Sequence, residues 1–533
     1  MELTRNQNKW RDFFMLNQHK QLSFYTELYN KIPENHILKL INDLVDFSFI
    51  NRSLEKYYCK YYGRPAKEPE LMIKLLLLQR LYNLSDKRVI EEASLNIAHL
   101  YFLGLNPEDK LPDSSLLAKF RLHRIVDFDC TLDDLLAKVV EQCVELGIIN
   151  ENSGVSIDTT HSEANTFRAT PERVMKRLAK KLFKHLREET GNVPETVDEE
   201  IPNYKEIEDH REAKKTMEAY LQETISKVEE AIEVENSPKT KKVIEQANQF
   251  MNDPKFLESK GARSIVDQDA RVGHKTKTKD FFGYKTEYMM TNDLIITAVH
   301  VCNGAYVDGK MFKKLLDLTK KSGINIKEFY GDKAYFRKNI LDSIKACEAE
   351  PYIPVSEMAY KIDEEKFSYN KDSDEWFCAQ GNNTIRKYHK KTKQRESYRY
   401  YFEKEKCRHC PIRDNCITGK NVGKILEVGI NTPEFYEYSQ QQKTEEFKQK
   451  YKKRASQEGK NGEMKQFHGL DRARGYGLKS MTIQAKLTAL AVNLKRIATI
   501  LSSKTTVNHR SFIYIVTFLV KMIKNHKSWL ITS

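Results

Sequence analysis

Gly154-Val155-Ser156-Ile157-Asp158 is where the texture of this chain changes. Residues 1–150 read as helix, whereas this run is short, β-like and ends in a carboxylate. Strand texture returns at Gly283. Residues 284–290 and 294–302 flank Thr291-Asn292-Asp293, which predicts a hairpin. A helix over 309–320 follows, then a strand over 326–330 that ends at Gly331-Asp332. A helix over 337–347 and an extended run over 351–355 complete the series. The order strand, insertion, strand, strand, helix, strand, helix, strand predicts an α/β core around a mixed sheet.

The segments around this core have their own signatures. Residues 170–250 are highly charged, and Met217, Leu221, Ile225, Val228 and Ile232 form one apolar stripe at helical spacing. This predicts an inserted helical hairpin or coiled-coil pair with a break near 236–238. Its basic start (Arg173, Lys176, Arg177, Lys180, Lys181, Lys184) either lies on DNA or is a solvated face. Toward the N-terminus, Pro65 and Pro69 precede an apolar helix over 70–81. Ser85 is placed to cap the next helix, and Ser114 or Ser115 another that runs to Arg124. With Lys119, Arg121 and Arg124 at one end, these helices read equally as a helix-turn-helix-like DNA reader or as a bundle with a basic surface. Residues 358–440 form a further unit of aromatic hairpin runs. Between 383 and 408 it has ten Lys/Arg against three Glu, interleaved with Tyr388, Tyr398, Tyr400, Tyr401 and Phe402. Such interleaving suits phosphate contact and base stacking. Ile483, Leu487, Leu490, Leu494, Ile497 and Leu501 alternate at 4 and 3, the mark of a core helix.

At 533 residues the chain is long enough for several domains, and 89 Lys+Arg against 75 Asp+Glu give a net +14. That excess favours a polyanionic partner, most simply nucleic acid. The polar N-terminus lacks a signal-peptide apolar region, and the apolar run 512–520 is shorter than the about 20 residues that span a bilayer. The run is expected to be a buried helix or a protein-docking surface. Cys59, Cys130, Cys143, Cys302 and Cys347 are scattered and expected as reduced core residues of a cytosolic protein. Cys378, Cys407, Cys410 and Cys416 are clustered. They are either a tetrahedral zinc site, structural in role, or four free thiols. His409 between them is an alternate ligand or an exposed residue.

Near the C-terminal end stand Tyr451, Arg454, Glu458 and Lys465. On a helix at about 100° per residue their spacing places all four on one face. Alone, such a face is most simply a solvated one. Cleavage of a phosphodiester by two metal ions, however, needs two or three convergent carboxylates, and Mg²⁺ prefers oxygen ligands. Asp158 and Asp332 each end a predicted strand. If those strands are neighbours, both carboxylates emerge at one edge, where Glu458 on a packed helix completes a trio. Gly459 and Gly462 weaken that helix by about 1 kcal/mol each relative to Ala, which leaves Glu463 as a fallback third carboxylate.

In these residues the chain resembles a DDE transposase of bacterial insertion sequences, in the group with the Tyr-Arg-Glu-Lys signature. The resemblance covers about residues 60–500. It is carried by Tyr451, Arg454, Glu458 and Lys465, by Ile157-Asp158-Thr159-Thr160 with Glu163-Ala164-Asn165, and by Gly331-Asp332-Lys333-Ala334-Tyr335-Phe336. Asp267-Gln268-Asp269-Ala270-Arg271, Gly283-Tyr284-Lys285 and Leu470-Asp471-Arg472-Ala473-Arg474 add to it, and residues 65–124 resemble the N-terminal domain common in the group.

The resemblance implies a ribonuclease-H-like catalytic core in two parts, 151–169 with 262–357, and 441–503. A helical N-terminal DNA-binding domain (1–150), a helical insertion (170–261), a cysteine-rich β insertion (358–440) and a tail (504–533) surround it. It implies that Asp158, Asp332 and Glu458 bind two Mg²⁺, which Mn²⁺ can replace, and that Arg454, Lys465 and Tyr451 contact DNA near the cut. The expected partners are double-stranded DNA, as terminal inverted repeats and target, and a second copy of the chain. The expected setting is the bacterial cytoplasm at the nucleoid, with no membrane. The competing readings are a non-catalytic, zinc-stabilised DNA-binding regulator derived from a transposase, and a metal-dependent nuclease that never joins strands.

Overall fold

The computed structural model describes residues 25–58, 66–126, 131–257, 261–276, 278–392, 395–417 and 421–503. The apolar run 512–520, Pro65, Cys59 and Cys130 lie outside the described residues. A six-stranded mixed sheet organises the chain. Its strands are β1 (Asn152–Glu163), β2 (Arg271–His274), β3 (Asp280–Thr291), β4 (Ile296–Asn303), β5 (Asn325–Tyr330) and β6 (Glu350–Tyr352), in the order β2-β3-β1-β5-β6 with β4 on β3. β1 runs antiparallel to β3 and parallel to β5, and β5 runs parallel to β6. The predicted hairpin at 291–293 is the β3–β4 turn.

One expectation is corrected here. β1 does not end at Asp158 but continues to Glu163, because β3 pairs with it all the way to Gly283. Only the parallel partner stops early, at Ser156 opposite Tyr330. The extension is closed by the 470–474 segment: Glu163 N–H donates to Asp471 O at 2.8 Å and Ala473 N–H to Glu163 O at 2.8 Å. Gly283 is needed there, since a Cβ would come within 2.1 Å of the Ser162 carbonyl oxygen.

The N-terminal helices pack on this sheet through a shared core. They include α1 (Pro69–Leu81), α2 (Asp86–Leu95), α3 (Ser114–Phe120) and α4 (Thr131–Glu145). All contribute to one buried cluster with β3, β4 and the long C-terminal helix. Ser85 caps α2 as expected, accepting from Arg88 N–H at 3.2 Å. At α3 the cap is Asp113, one residue before the predicted serines, because its carboxylate accepts from Ser115 N–H at 2.9 Å. Arg121 is bound by Asp86, and Arg124 lies 4.8 Å from the Tyr58 ring centre, so of the three cations named at this end only Lys119 is exposed.

The insertion holds three helices, not two: α5 (Pro171–Thr190), α6 (His210–Ala231) and α7 (Pro238–Met251). The stripe on α6 meets apolar residues from both others, among them Leu178, Leu182, Val243 and Ala247, in a cluster of its own. The chain then returns to the sheet. After β4 come α8 (Phe312–Lys321), packed on β4, and α9 (Lys338–Lys345) before β6. The cysteine-rich unit has β7 (Phe367–Asn370) paired with β8 (Glu375–Cys378), and a sheet of β9 (Thr384–Lys391), β10 (Glu396–Phe402) and β11 (Ile425–Gly429). After a helix over Thr432–Gln441 come α10 (Glu445–Tyr451), α11 (Ser456–Gln466) and α12 (Gly477–Ser503). The predicted stripe of α12 is buried against α1, α4 and β4. Within it the buried Asn493 side chain bonds both the N–H and the C=O of Ile296, each at 2.7 Å.

Candidate active site

The register of β1 and β5 sets the first two carboxylates. Val155 faces Phe329 and Ser156 faces Tyr330, so two residues further Asp158 and Asp332 stand at matched positions beyond the pairing. Asp332 is turned by the short helix 333–335, whose Ala334 N–H it accepts at 2.8 Å. Burial pushes the Asp158 carboxyl above its ordinary range, and the Asp332 charge adds to this. Arg454, the Thr159 N–H and Asn461 pull the other way.

The Tyr451–Lys465 segment differs from the predicted single helix face. Tyr451 ends α10, residues 452–455 form a 3₁₀ turn carrying Arg454, and Glu458 lies exposed in the first turn of α11. The tighter 3₁₀ winding breaks the 100° arithmetic between Arg454 and Glu458. The helix runs unbroken through Gly459 and Gly462, both beside open space, so the irregularity precedes Glu458. Arg454 nevertheless stands beside the first of the three carboxylates. Its Nη2 lies 3.4 Å from Asp158 Oδ1. Burial opposes its charge, but Asp158, Tyr451, Asp332 and Glu458 together raise its pKa above the ordinary value. Glu463, the fallback third carboxylate, accepts from Lys460 at 2.8 Å and Lys495 at 3.1 Å, in a separate ion-pair cluster.

α11 is keyed to β1 by Lys465 together with Gln457 and Asn461, two residues that sequence reasoning missed. Gln457 donates to Ser156 Oγ at 2.5 Å, Asn461 Nδ2 to Asp158 Oδ2 at 2.9 Å, and Lys465 Nζ lies 3.3 Å from His161 Nδ1. The buried Tyr288 hydroxyl, on the strand position facing Asp158, donates to Asn461 Oδ1 at 2.9 Å and so fixes that amide. The signal was the four-residue recurrence Gln457, Asn461, Lys465, hidden in a run rich in charge. Burial and the Lys275 ammonium lower Lys465 to about 8, and burial with the nearby lysines lowers His161 to about 4.

Other singled-out motifs build the frame. Asp267 is buried and accepts from the Tyr284 hydroxyl, from Ala270 N–H at 3.2 Å and from Gly477 N–H at 3.3 Å. Asp269 accepts from Leu478 N–H at 2.7 Å, tying the start of α12 to the sheet. Behind Asp332, Tyr335 donates to the fully buried Glu287 at 2.9 Å and lies 3.0 Å from Thr159 Oγ1.

Cys378, Cys407, Cys410 and Cys416 line one cavity of about 650 Å³. All four are free thiols. Burial pushes the Cys416 thiol up, as do the three neighbouring thiols, against the pull of Lys424. Asn382 Nδ2 donates to Cys407 Sγ at 3.3 Å, and His409 is exposed. Four cations of the basic hairpin beside this cavity have carboxylate partners. Lys387 pairs with Asp374, Lys390 and Arg399 with Glu427, and Lys391 with Glu396. Trp376 is fully buried, packed against Tyr369, Tyr400 and Tyr436.

The two donor sets differ in chemistry: carboxylate oxygens match Mg²⁺, thiolates match Zn²⁺. Among the described residues, no three His, Cys, Asp or Glu side chains are drawn together closely enough to hold an ion in this arrangement. Beside Asp158 stands the Arg454 guanidinium.

Comparison with known families finds two matches. Residues 26–123 match the Transposase domain (DUF772), and residues 377–498 match the Transposase DDE domain. The second match contains the cysteine cavity, Glu458 and most of α12, while Asp158 and Asp332 precede it. No match to a curated protein or to a solved structure was found. The two matches support a DDE transposase, a DNA-cutting and -joining enzyme with DNA as partner, and imply a ribonuclease-H-like core. Among the described residues, no helix is long and apolar enough to cross a membrane.

Proposed function

We propose that this chain is a transposase of a bacterial insertion sequence, in the group with the Tyr-Arg-Glu-Lys signature. It cleaves its element's terminal inverted repeats and joins the freed 3′-hydroxyl ends to target DNA. The observation that carries the reading is the alignment of Asp158 and Asp332, each two residues beyond paired positions of neighbouring strands, with Arg454 Nη2 3.4 Å from Asp158 Oδ1. Two carboxylates aligned at one sheet edge, with a third on the helix packed beside β1, would have no use in a protein that only binds DNA.

Asp158, Asp332 and Glu458 would hold two Mg²⁺, or Mn²⁺ in their place. Bound there, the ions would activate the attacking oxygen and stabilise the leaving one. The chain's own residues do the positioning. Asn461, itself fixed by Tyr288, holds the Asp158 carboxylate. Arg454 and Lys465 offer cations to phosphates beside the cut, and Tyr451 offers a ring and a hydroxyl there. Water attacks the phosphorus at the element's end and the P–O3′ bond breaks, leaving a 3′-hydroxyl. That hydroxyl then attacks a target phosphorus, displacing the target's own 3′-oxygen.

The four cysteines would hold a structural zinc that closes the cysteine-rich insertion. Two ends need two catalytic sites, so the working form is a homodimer on DNA, in the cytoplasm at the nucleoid. The domain division is that of the sequence reading, with residues 1–150 as the DNA-binding unit. Incubation with paired terminal repeats and a target plasmid tests the proposal. Cleavage and strand transfer support it. Cleavage with no joining at any metal concentration would leave a nuclease instead.

A further inference from the structure

Two basic segments singled out in the sequence differ in how their cations are partnered. On the β9–β10 hairpin, Lys387, Lys390, Lys391 and Arg399 face carboxylates. On α5, from Arg173 to Arg187, every charged residue apart from His185 is Lys or Arg. At about 100° per residue, Arg173, Lys176, Arg177, Lys180 and Lys184 fall within roughly one third of the helix circumference. The opposite side carries the buried Val174, Met175, Leu178, Ala179, Leu182, Phe183 and Leu186. The stripe therefore faces away from the insertion's core. Lys184 reaches Glu188 only at 3.8 Å, and Lys176 lies 5.8 Å from the Tyr204 ring centre. Arg173, Arg177 and Lys180 have no ion-pair partner among the described residues.

Position adds to charge. α5 starts shortly beyond Glu163, the last residue of the strand that carries Asp158. Its approach is fixed at both sides: Arg168 pairs with Asp280 at 2.5 Å, and Ala169 bridges Arg263 in the chain leaving the insertion. The helix is rigidly joined to the sheet and not hung on a loose linker. From Arg173 to Lys184 the stripe is about 16 Å long at about 1.5 Å per residue. Duplex DNA presents one phosphate charge per about 1.7 Å of axis, so several phosphates lie within its reach.

We infer that the exposed face of α5 is a sequence-independent docking surface for the backbone of double-stranded DNA flanking the cleavage site. The inference rests on the reading of this chain as a DNA-cutting enzyme, but its test needs no cleavage. In the full-length protein, Arg173, Arg177 and Lys180 are replaced together by Gln. Affinity for a random-sequence duplex of about 40 base pairs is then followed against salt concentration. Each lost phosphate contact reduces the slope of log K against log salt by about 0.9, so the triple variant is expected to lose roughly 2–3 from the slope. The same count of changes on the hairpin (Lys387, Lys390 and Arg399 to Gln) is expected to change the slope by less than about 1, because those cations already have partners. An unchanged circular dichroism spectrum and melting temperature show that the substitutions leave the fold intact. An unchanged slope in the α5 variant, or an equal loss in the hairpin variant, overturns the inference. If wild type and variant both fail to cleave terminal repeats while the slopes differ as stated, the surface stands and the catalytic reading falls.

Discussion

The carboxylate site and the cysteine cavity are both assembled from residues far apart in the chain, yet they are held in different ways. Asp158 and Asp332 ride on neighbouring strands of the main sheet, and α11 is pinned to β1 by Gln457, Asn461 and Lys465. Their placement needs no ligand, since strand register and a large shared core fix it. The cysteines belong to a unit whose buried cluster, among the described residues, is Phe367, Trp376, Tyr400, Phe402, Cys407 and Val428. A core that small gains from a cross-link, and four thiols on one cavity offer it.

The comparison is broken most severely at the cysteines. If zinc closes that unit, purified protein carries one zinc per chain. Cys407→Ser is then expected to lose the metal and the unit's fold together, since structural zinc contributes on the order of 10 kcal/mol to small domains. Elemental analysis with a thermal melt checks this, and full stability without zinc would make the two sites alike. On the other side, Leu490→Ala in the fully buried stripe of α12 should cost about 2–5 kcal/mol. Denaturant unfolding of the whole sheet should register it.

Asn461→Ala frees the Asp158 carboxylate without touching the trio, and roughly a 10–100-fold loss of cleavage is expected, the usual effect of removing a ligand's supporting partner. Asn461→Gln, which keeps the amide, should recover part of it. DNA affinity should stay unchanged in both. Lys465 gives a smaller, pH-dependent effect. Its ammonium is lowered from 10.5 to about 8, so its positive charge is present below that value and lost as pH rises through it. DNA affinity should therefore decline above about pH 8, and Lys465→Arg should flatten the decline, because a guanidinium stays charged. In the protein without DNA, the folded state releases this proton before the unfolded chain does. Stability should thus rise with pH between about 8 and 10.5, an increment that Lys465→Arg removes. The smallest change is expected from Glu463→Gln, which breaks ion pairs with Lys460 and Lys495 and should leave cleavage near the wild-type rate.

Much of the core was legible because its signals are local. Strands β1 and β3 to β6, the turn at 291–293, the Ser85 cap and the α12 stripe each follow from period, turn chemistry or capping within a dozen residues, whereas the short β2 was not read. What escaped depends on partners far along the chain. β1 continues past Asp158 because β3 and the 470–474 segment pair with it. The 3₁₀ turn at 452–455 lies in a run whose residues suit an α-helix, so tertiary packing prevailed there over propensity. The hairpin's basic count misled in the same way: its neutralising carboxylates, Asp374 and Glu427, lie outside the counted stretch. Asn461 was invisible because an amide in a charged run announces nothing until Tyr288 and Asp158 are brought to it.

The most direct measurement of the central claim is strand cleavage at a terminal inverted repeat by Asp158→Asn, Asp332→Asn and Glu458→Gln, beside Glu463→Gln and with DNA affinity measured in parallel. The account predicts that the first three each lose cleavage by at least roughly 10³-fold while still binding DNA, and that the fourth cuts normally. Normal cleavage by the Glu458 variant, or loss of cleavage in the Glu463 variant alone, would contradict it.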